Sequence, residues 1–341
     1  MRSPAALVPS LALALALAGC GDTEDPAASS GGTDVAVDAP VADVGGTSDT
    51  GVDTAVDVEV DTGPPTGPEI VIATFNVSRF FDTVCDSGRC DSGDFESRLS
   101  DAQFNYKISL IMEALDRIDA DVILLQEIEK DECLQALNEA LDPAFEIAVL
   151  GEIGGTATLD VAVLARGELI EVREHRNIPI PRPTGGQTTF SREFLEVAMD
   201  IDGQELVVFA AHFKSKNNDD ASRRLAEAMA AREIVLERAA ASPDALIVFG
   251  GDLNDTPGSP PIDAIEDGGG LHRVAEDLGD DDWTIRFFDD RSAIDHLYIA
   301  TGAAGAYVPG TAEVIRDSSG SLAQSDHAAL RATFTLPAAT E

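Results

Sequence analysis

Basic residues are scarce in this chain of 341 residues: 23 lysines and arginines face 62 aspartates and glutamates, for a net charge of −39. Residues 1–68 contribute 11 acids and one arginine, so 69–341 still carry 51 acids against 22 bases, a net of −29. Sequence-independent affinity for nucleic acid comes from Lys and Arg neutralising phosphates. The balance therefore counts against loose binding of polyanions, and any nucleic-acid site must be a local basic strip backed by metal. Cysteine is rarer still, with four residues. Cys20 sits in a leader, which leaves Cys85, Cys90 and Cys133, and no second Cys or His pair stands at the spacing a zinc site requires. Beyond residue 18 no apolar run approaches the ~20 residues of a bilayer-spanning helix.

The leader itself has the features of an export signal: Arg2, then an apolar stretch from Leu7 to Ala18 interrupted by Pro9 and Ser10. Leu17-Ala18-Gly19-Cys20 is similar to a bacterial lipobox, which implies removal of residues 1–19 and a lipid on Cys20. An ordinary cleaved signal peptide is the alternative. Residues 20–68 are rich in Asp, Val, Gly and Thr and contain no aromatic residue. Such a segment cannot bury a core and is expected to be a disordered tether. A calcium-binding repeat would need the D-x-D-x-D ligand spacing, which is missing. Export places the remaining cysteines in a disulfide-permissive compartment. Cys85 and Cys90 bracket four residues and are expected to close a small loop, with Cys133 a buried apolar residue.

Order is expected from Glu69 onward. Ile70 to Phe75 is a continuous apolar run, as for a strand buried on both faces. Ile108, Ile111, Met112, Leu115 and Ile118 recur at helical spacing and predict a helix over roughly 103–119. A strand over Val122 to Leu125, a helix over 131–141 and a strand from Phe145 to Leu150 follow. Asp160 to Leu164 and Leu169 to Glu174 suggest a hairpin around Gly167. Phe194 to Ile201 and Leu206 to Phe213 suggest another, turning at Asp202-Gly203. A helix over 221–240 and strands over 246–249, 294–299 and 328–334 complete the pattern. About ten strands with three or four helices predict an α/β fold, a four-layer α/β/β/α sandwich of two stacked, mixed or mostly antiparallel sheets with outer helices.

Short polar clusters end several of these apolar runs: Thr74-Phe75-Asn76-Val77, Leu124-Leu125-Gln126-Glu127, Ala211-His212-Phe213-Lys214-Ser215, Gly250-Gly251-Asp252-Leu253-Asn254-Asp255, Ile294-Asp295-His296 and Ser325-Asp326-His327. Taken singly, each has an ordinary explanation. Glu127 could be a surface residue, Asn76 a turn cap, and Asp252 and Asn254 turn formers beside two flexible glycines. Taken together, strand ends that carry carboxylate, amide and imidazole can converge on one pocket. Oxygen donors suit a hard divalent cation, and histidines beside it suit proton transfer.

In order and wording these six clusters resemble the endonuclease/exonuclease/phosphatase superfamily, over roughly 69–336. The resemblance implies a metal-dependent phosphoester hydrolase using magnesium, with manganese and calcium as alternatives. Glu127 would hold the metal, with Asn76 and Asp326 lining the same site, and Asp252 and Asn254 would position or deprotonate water or hold a second ion. His212 and His327 would flank the phosphate. Asp295 would orient His327, Asp160 would orient His212, and Arg192 would stabilise phosphoryl charge. Lys214, Lys216, Arg223, Arg224 and Arg182 are candidate phosphate contacts or ordinary surface charge. Phe80-Phe81-Asp82 after Asn76-Val77 is similar to the opening of secreted bacterial members, Thr189-Phe190-Ser191-Arg192-Glu193 to the arginine-bearing segment of the deoxyribonucleases, and His212-Phe213-Lys214-Ser215-Lys216, followed by Arg223-Arg224 and a helix, to the extracellular nuclease branch. His296 should point away from Asp295's face and be structural. His175 and His272 are expected to be solvated, and Trp283 is either a stacking residue or a packed rim residue.

The expected function is a lipid-anchored phosphodiester hydrolase of the bacterial cell envelope, facing periplasm or exterior and acting on DNA or RNA. A phosphomonoesterase or phospholipid-type phosphodiesterase is the second reading, which the acidic surface handicaps less. A non-enzymatic adhesion module is the third.

Overall fold

The computed structural model describes residues 67–338. The leader, Cys20 and almost all of the expected tether lie outside the described residues. In chain order the elements are β1 (Glu69–Phe80), α1 (Asp101–Ile118), β2 (Val122–Ile128), α2 (Asp131–Ala140), β3 (Ile147–Gly151), β4 (Asp160–Ala165) and β5 (Glu168–Glu174). There follow β6 (Ile180–Pro181), β7 (Gln187–Thr188), β8 (Leu195–Ile201), β9 (Gln204–His212), α3 (Ala221–Ala241), β10 (Leu246–Asp252), α4 (Pro260–Glu266) and β11 (Leu271–Arg273). The chain ends through β12 (Ile285–Phe287), β13 (Asp290–Ser292), β14 (Asp295–Ala300), β15 (Ala306–Tyr307), β16 (Glu313–Ile315) and β17 (Ala329–Thr335).

Two large mixed sheets dominate. One runs β15-β17-β1-β2-β4-β3 with β16 on β17; the other runs β11-β14-β10-β9-β8-β5. Alternation along each strand sends one set of side chains between the sheets. Ile70, Ile72, Val122, Leu124, Val161 and Val163 of the first meet Val197, Leu206, Val208, Leu246, Val248 and Leu297 of the second. The opposite faces are apolar too and need helices. Phe75, Ile123 and Leu125 pack against Ile111, Leu115, Leu134 and Leu137 of α1 and α2. Val207, Phe209, Ile247 and Phe249 pack against Ala231, Val235 and Ile262 of α3 and α4. The expected four-layer sandwich is the observed one.

Two boundaries differ instructively from the sequence reading. Helix α1 starts at Asp101 because Ser100 caps it, in a reciprocal capping box with Gln103. The expected hairpin around Gly167 is not one. β4 pairs with β2 and β3, whereas β5 pairs with β8, so Gly167 carries the chain from one sheet to the other. Its φ is +106°, and a Cβ there would lie 2.4 Å from Asp200 O, so glycine is required. The β8–β9 hairpin at Asp202-Gly203 forms as expected. The Cys85–Cys90 disulfide is formed, and Cys133 is free and buried.

Candidate active site

The period of two that fills the interior with Leu and Val also places the polar residues at the strand ends. His212 follows Val208 and Ala210 on β9, Asp252 follows Val248 and Gly250 on β10, and Asp295 precedes Leu297 and Ile299 on β14. Register makes these three neighbours, because Asp252 is paired with His212 on one side and Asp295 on the other. Asn76 extends the Ile70-Ile72-Thr74 stripe of β1 from the opposing sheet. Its amide nitrogen reaches across to Asp252 Oδ2 at 3.1 Å and to Glu127 Oε1 at 3.4 Å.

Gly250-Gly251 makes the row fit. Gly251 has φ +143°, and a Cβ on it would meet Ala211 O at 1.9 Å. Gly251→Ala is therefore expected to lower the melting temperature by roughly 10 °C or more. Thermal denaturation followed by circular dichroism reads this; a change of under two degrees would show that the strands can separate there without cost.

Glu127 is set by backbone distortion. Its φ is +69°, and the β1–β2 and β2–β4 ladders slip register at the same level. Ser78 and Arg79 also have positive φ, forming a bulge in β1. The bulge is held from both sides. Ser78 N donates to Asn76 Oδ1 at 2.9 Å and Arg79 N to Glu127 Oε2 at 2.8 Å, while Lys107 Nζ donates to Val77 O at 2.6 Å and Ser78 O at 2.9 Å. Strained backbone of this kind concentrates where geometry matters for function. Lys107 was not among the sequence candidates. Its spacing of three from Phe104 and four from Ile111 places it on the apolar face of α1, an unusual station for lysine, and that was its signal. Burial lowers its pKa to about 8, against the opposing pull of Glu127 and Asp326.

Electrostatics divide the two histidines. His327 Nδ1 lies 2.8 Å from Asp295 Oδ2, and its Nε2 lies 3.8 Å from Asp252 Oδ2. Burial opposes charge on His327, but Asp295, then Asp252 and Asp326, outweigh it and raise its pKa to about 10. His212 Nε2 lies 3.6 Å from Asp252 Oδ2. Burial, reinforced by Arg192 and His327, pushes its pKa well below the usual imidazole range. One imidazole is thus cationic and the other neutral at pH 7. Asp252 is raised to about 7, by burial first and by Asp295 and Glu127 beyond it, against the pull of His327. Asn254 N donates to Asp252 Oδ1 at 2.9 Å, and Asn254 Nδ2 is turned to Phe213 O at 3.2 Å.

Several sequence expectations are corrected. Asp160 does not orient His212. Its carboxylate accepts from Thr158 Oγ1 at 3.0 Å, and His212 Nδ1 is buried without a partner. Asn76 presents its nitrogen, not its oxygen, to the carboxylates, so it bridges them as a donor. Asp326 is exposed and acts on Lys107 and His327 through charge. The expected phosphate-binding strip is largely committed elsewhere. Arg224, buried, pairs with Asp255 and Asp219, both at 2.7 Å; Arg223 with Glu227 at 3.2 Å; Lys216 with Asp255 at 3.0 Å; Arg182 with Asp220 at 2.8 Å. Lys214 Nζ donates to Ser215 O and Asn217 O, each at 2.7 Å. Arg192 is half-buried and, among the described residues, has no ion-pair partner. Trp283 is a packed rim residue, with Arg316 and Arg291 over its ring at 3.9 and 4.7 Å. His296 is structural, its Nε2 2.9 Å from Asp255 O. His175 and His272 are half-buried rather than solvated, and His175 Nε2 lies 2.9 Å from Glu196 Oε2.

The donor set fits a hard cation. Asp252, Asp295 and Glu127 crowd one gap, ligand atoms of Asp252, Asp295 and His327 fall within 4.8 Å of one another, and Asp295 Oδ1 is buried without a partner. Carboxylate oxygens in excess of nearby positive charge are what Mg2+, Mn2+ or Ca2+ takes. A second acidic group, Asp82, Asp86 and Glu129, already holds an ammonium, with Lys130 Nζ 2.9 Å from Asp82 and 2.5 Å from Asp86.

A gap between two sheets, lined by carboxylates and a His–Asp pair, suits metal-assisted hydrolysis. The chain belongs to the Endonuclease/Exonuclease/phosphatase family, whose model matches residues 73–327. Among solved structures it is similar to the endonuclease/exonuclease/phosphatase from Bacteroides vulgatus, with 16% identity, TM-score 0.57, and 79% of this chain and 99% of that one covered. It is similar to a humanized D. rerio TDP2, at 18% identity, TM-score 0.53 and coverage of 78% and 99%. For the human Nocturnin catalytic domain the values are 14%, 0.52, and 80% and 96%. No curated protein matches the chain.

Proposed function

We propose that this protein is a divalent-metal-dependent phosphodiesterase that cleaves nucleic acid, exported and held at the bacterial envelope through Cys20 and the acidic tether. The observation that carries the catalytic part is the row His212–Asp252–Asp295 with His327 bonded to Asp295, facing Asn76 and Glu127 across the gap between the sheets. Glu127 would be the principal metal-holding residue, with Asp252 adding carboxylate charge and Asn76 fixing Glu127 against Asp252. A bound divalent cation supplies Lewis-acid polarisation of the phosphoryl oxygens.

The chain's own groups supply the rest. Asp252, poised near neutrality and fixed by Asn76 and Asn254 N, takes the proton of the attacking water. The water oxygen bonds to phosphorus as the bond to the leaving oxygen breaks in line, and the leaving alkoxide takes a proton from solvent water. The His327 imidazolium, oriented by Asp295, donates to a non-bridging oxygen, and neutral His212 and the Arg192 guanidinium face the same charge. D. rerio TDP2 has been solved in complex with a single strand DNA product, which favours nucleic acid as the substrate class. The second reading, a small phosphate ester, is favoured by the commitment of Arg182, Arg223 and Arg224 to internal ion pairs. Plasmid DNA, labelled oligonucleotides and a panel of small phosphate mono- and diesters, each with Mg2+, Mn2+ or chelator, separate the two. Metal-dependent cleavage of DNA or RNA is expected; turnover of small esters with nucleic acid left intact would reverse the assignment.

A further inference from the structure

The hairpin β12–β13 grows directly out of the candidate active site. Ile285 forms a bridge with His327, Ala328 N donates to Thr284 O at 2.7 Å, and Asp295 N donates to Thr284 Oγ1 at 3.2 Å. Its tip carries two adjacent aromatic rings, Phe287 and Phe288, 72% and 82% exposed. Their centroids are 4.7 Å apart at 78°. Among the described residues no other large apolar side chain is as exposed. The loop is two residues long, because Phe287 pairs with Asp290, and Phe288 has φ +55°. Glycine or asparagine ordinarily takes that left-handed turn position. A phenylalanine there sits in a conformation costly for a bulky residue.

We propose that Phe287 and Phe288 are a stacking platform for an unpaired nucleobase next to the scissile phosphate, making single-stranded nucleic acid the preferred substrate. This rests on the nuclease reading above. Phe287 is two residues from the His327 bridge, about 7 Å along an extended strand. That span matches the spacing between a phosphate and a neighbouring base. A stacked base presents an uncharged face, so the acidic surface that repels phosphates does not oppose it. In a duplex that face is already covered by its neighbours. A lipid surface is the poorer occupant, because Asp289 is fully exposed at the tip with Asp290 beside it, and carboxylates resist entry into hydrocarbon.

The test compares the full chain with its Phe287→Ala/Phe288→Ala and Phe287→Trp/Phe288→Trp variants. Anisotropy of a labelled single-stranded oligonucleotide in chelator reads binding without turnover, and steady-state cleavage with Mg2+ reads KM and kcat. The alanine pair is expected to raise both Kd and KM about tenfold, with kcat within twofold, and the tryptophan pair to restore them. An oligonucleotide with abasic sugars flanking the cleavage site, and the fully paired duplex, should show no such change. Unaltered KM, or an equal loss on the abasic strand, would overturn the platform. So would ring-dependent binding of phosphatidylcholine vesicles with oligonucleotide affinity intact. Ring-dependent binding without any cleavage would instead overturn the nuclease reading and leave the platform standing.

Discussion

Asp252→Asn is expected to lower kcat on an oligonucleotide substrate by at least about a thousandfold while leaving the fold intact. Asp252 is the hub of the site: Asn76, Asn254 N, His212 and His327 all face it within 3.8 Å. The amide is nearly isosteric, so packing survives, but it cannot accept the proton of the attacking water. General-base contributions of about 10²–10⁴ combine with the loss of a metal-facing charge. A second consequence separates catalysis from structure. The carboxylate is buried and destabilised there, as its pKa near 7 shows. Removing its charge should leave the melting temperature unchanged or higher. A variant that loses activity and stability in parallel would point to a structural role only. Single-turnover cleavage and thermal denaturation on the same preparation distinguish these outcomes.

Asp295→Asn should produce the other large effect, a loss of about a hundredfold or more in kcat/KM with a distinctive pH dependence. His327 keeps its proton because Asp295 and its neighbours outweigh burial, raising the pKa to about 10. A raised imidazole pKa means the cation persists through neutrality and is lost as pH rises through about 10. The stability contributed by the pair is accordingly full below about 6.5, the unfolded value, and declines between there and about 10. With asparagine the largest influence opposing burial is gone, and the imidazole pKa falls. The variant's alkaline limb should therefore lie at lower pH than that of the wild type. Coincident limbs in the two proteins would remove His327 from its assigned role.

The fold was legible wherever apolar runs were long. β1, β2, β9, β10 and α1 follow from periodicity, and the sandwich follows from sheets that are apolar on both faces. The site was legible because its residues sit at the ends of those same runs, one period past the last core residue. What failed to show depended on tertiary geometry. Gly167 reads as a hairpin turn in sequence and as a passage between sheets in space. Arg223 and Arg224 look like a phosphate-binding pair until Glu227, Asp219 and Asp255 are brought beside them. Asp160 and His212 are far apart in sequence, and nothing along the chain shows that the Asp160 carboxylate turns to Thr158 instead. The place of Lys107 on the apolar face of α1 marks it, but the carbonyls it reaches, Val77 O 30 residues away among them, carry no residue-type signature. Phe287 and Phe288 lie in a hairpin of three-residue strands, too short for a pattern, and only their exposure sets them apart.

The most direct test of a single cation-centred site is cleavage of a labelled single-stranded oligonucleotide by the full chain and by Glu127→Gln, across a Mg2+ titration that begins in chelator. The wild type should be silent in chelator and saturate with Mg2+, while Glu127→Gln requires far higher Mg2+ and cleaves at least about a hundredfold more slowly at any concentration. Equal cleavage in chelator, or a Glu127→Gln curve superimposed on the wild type, would contradict it.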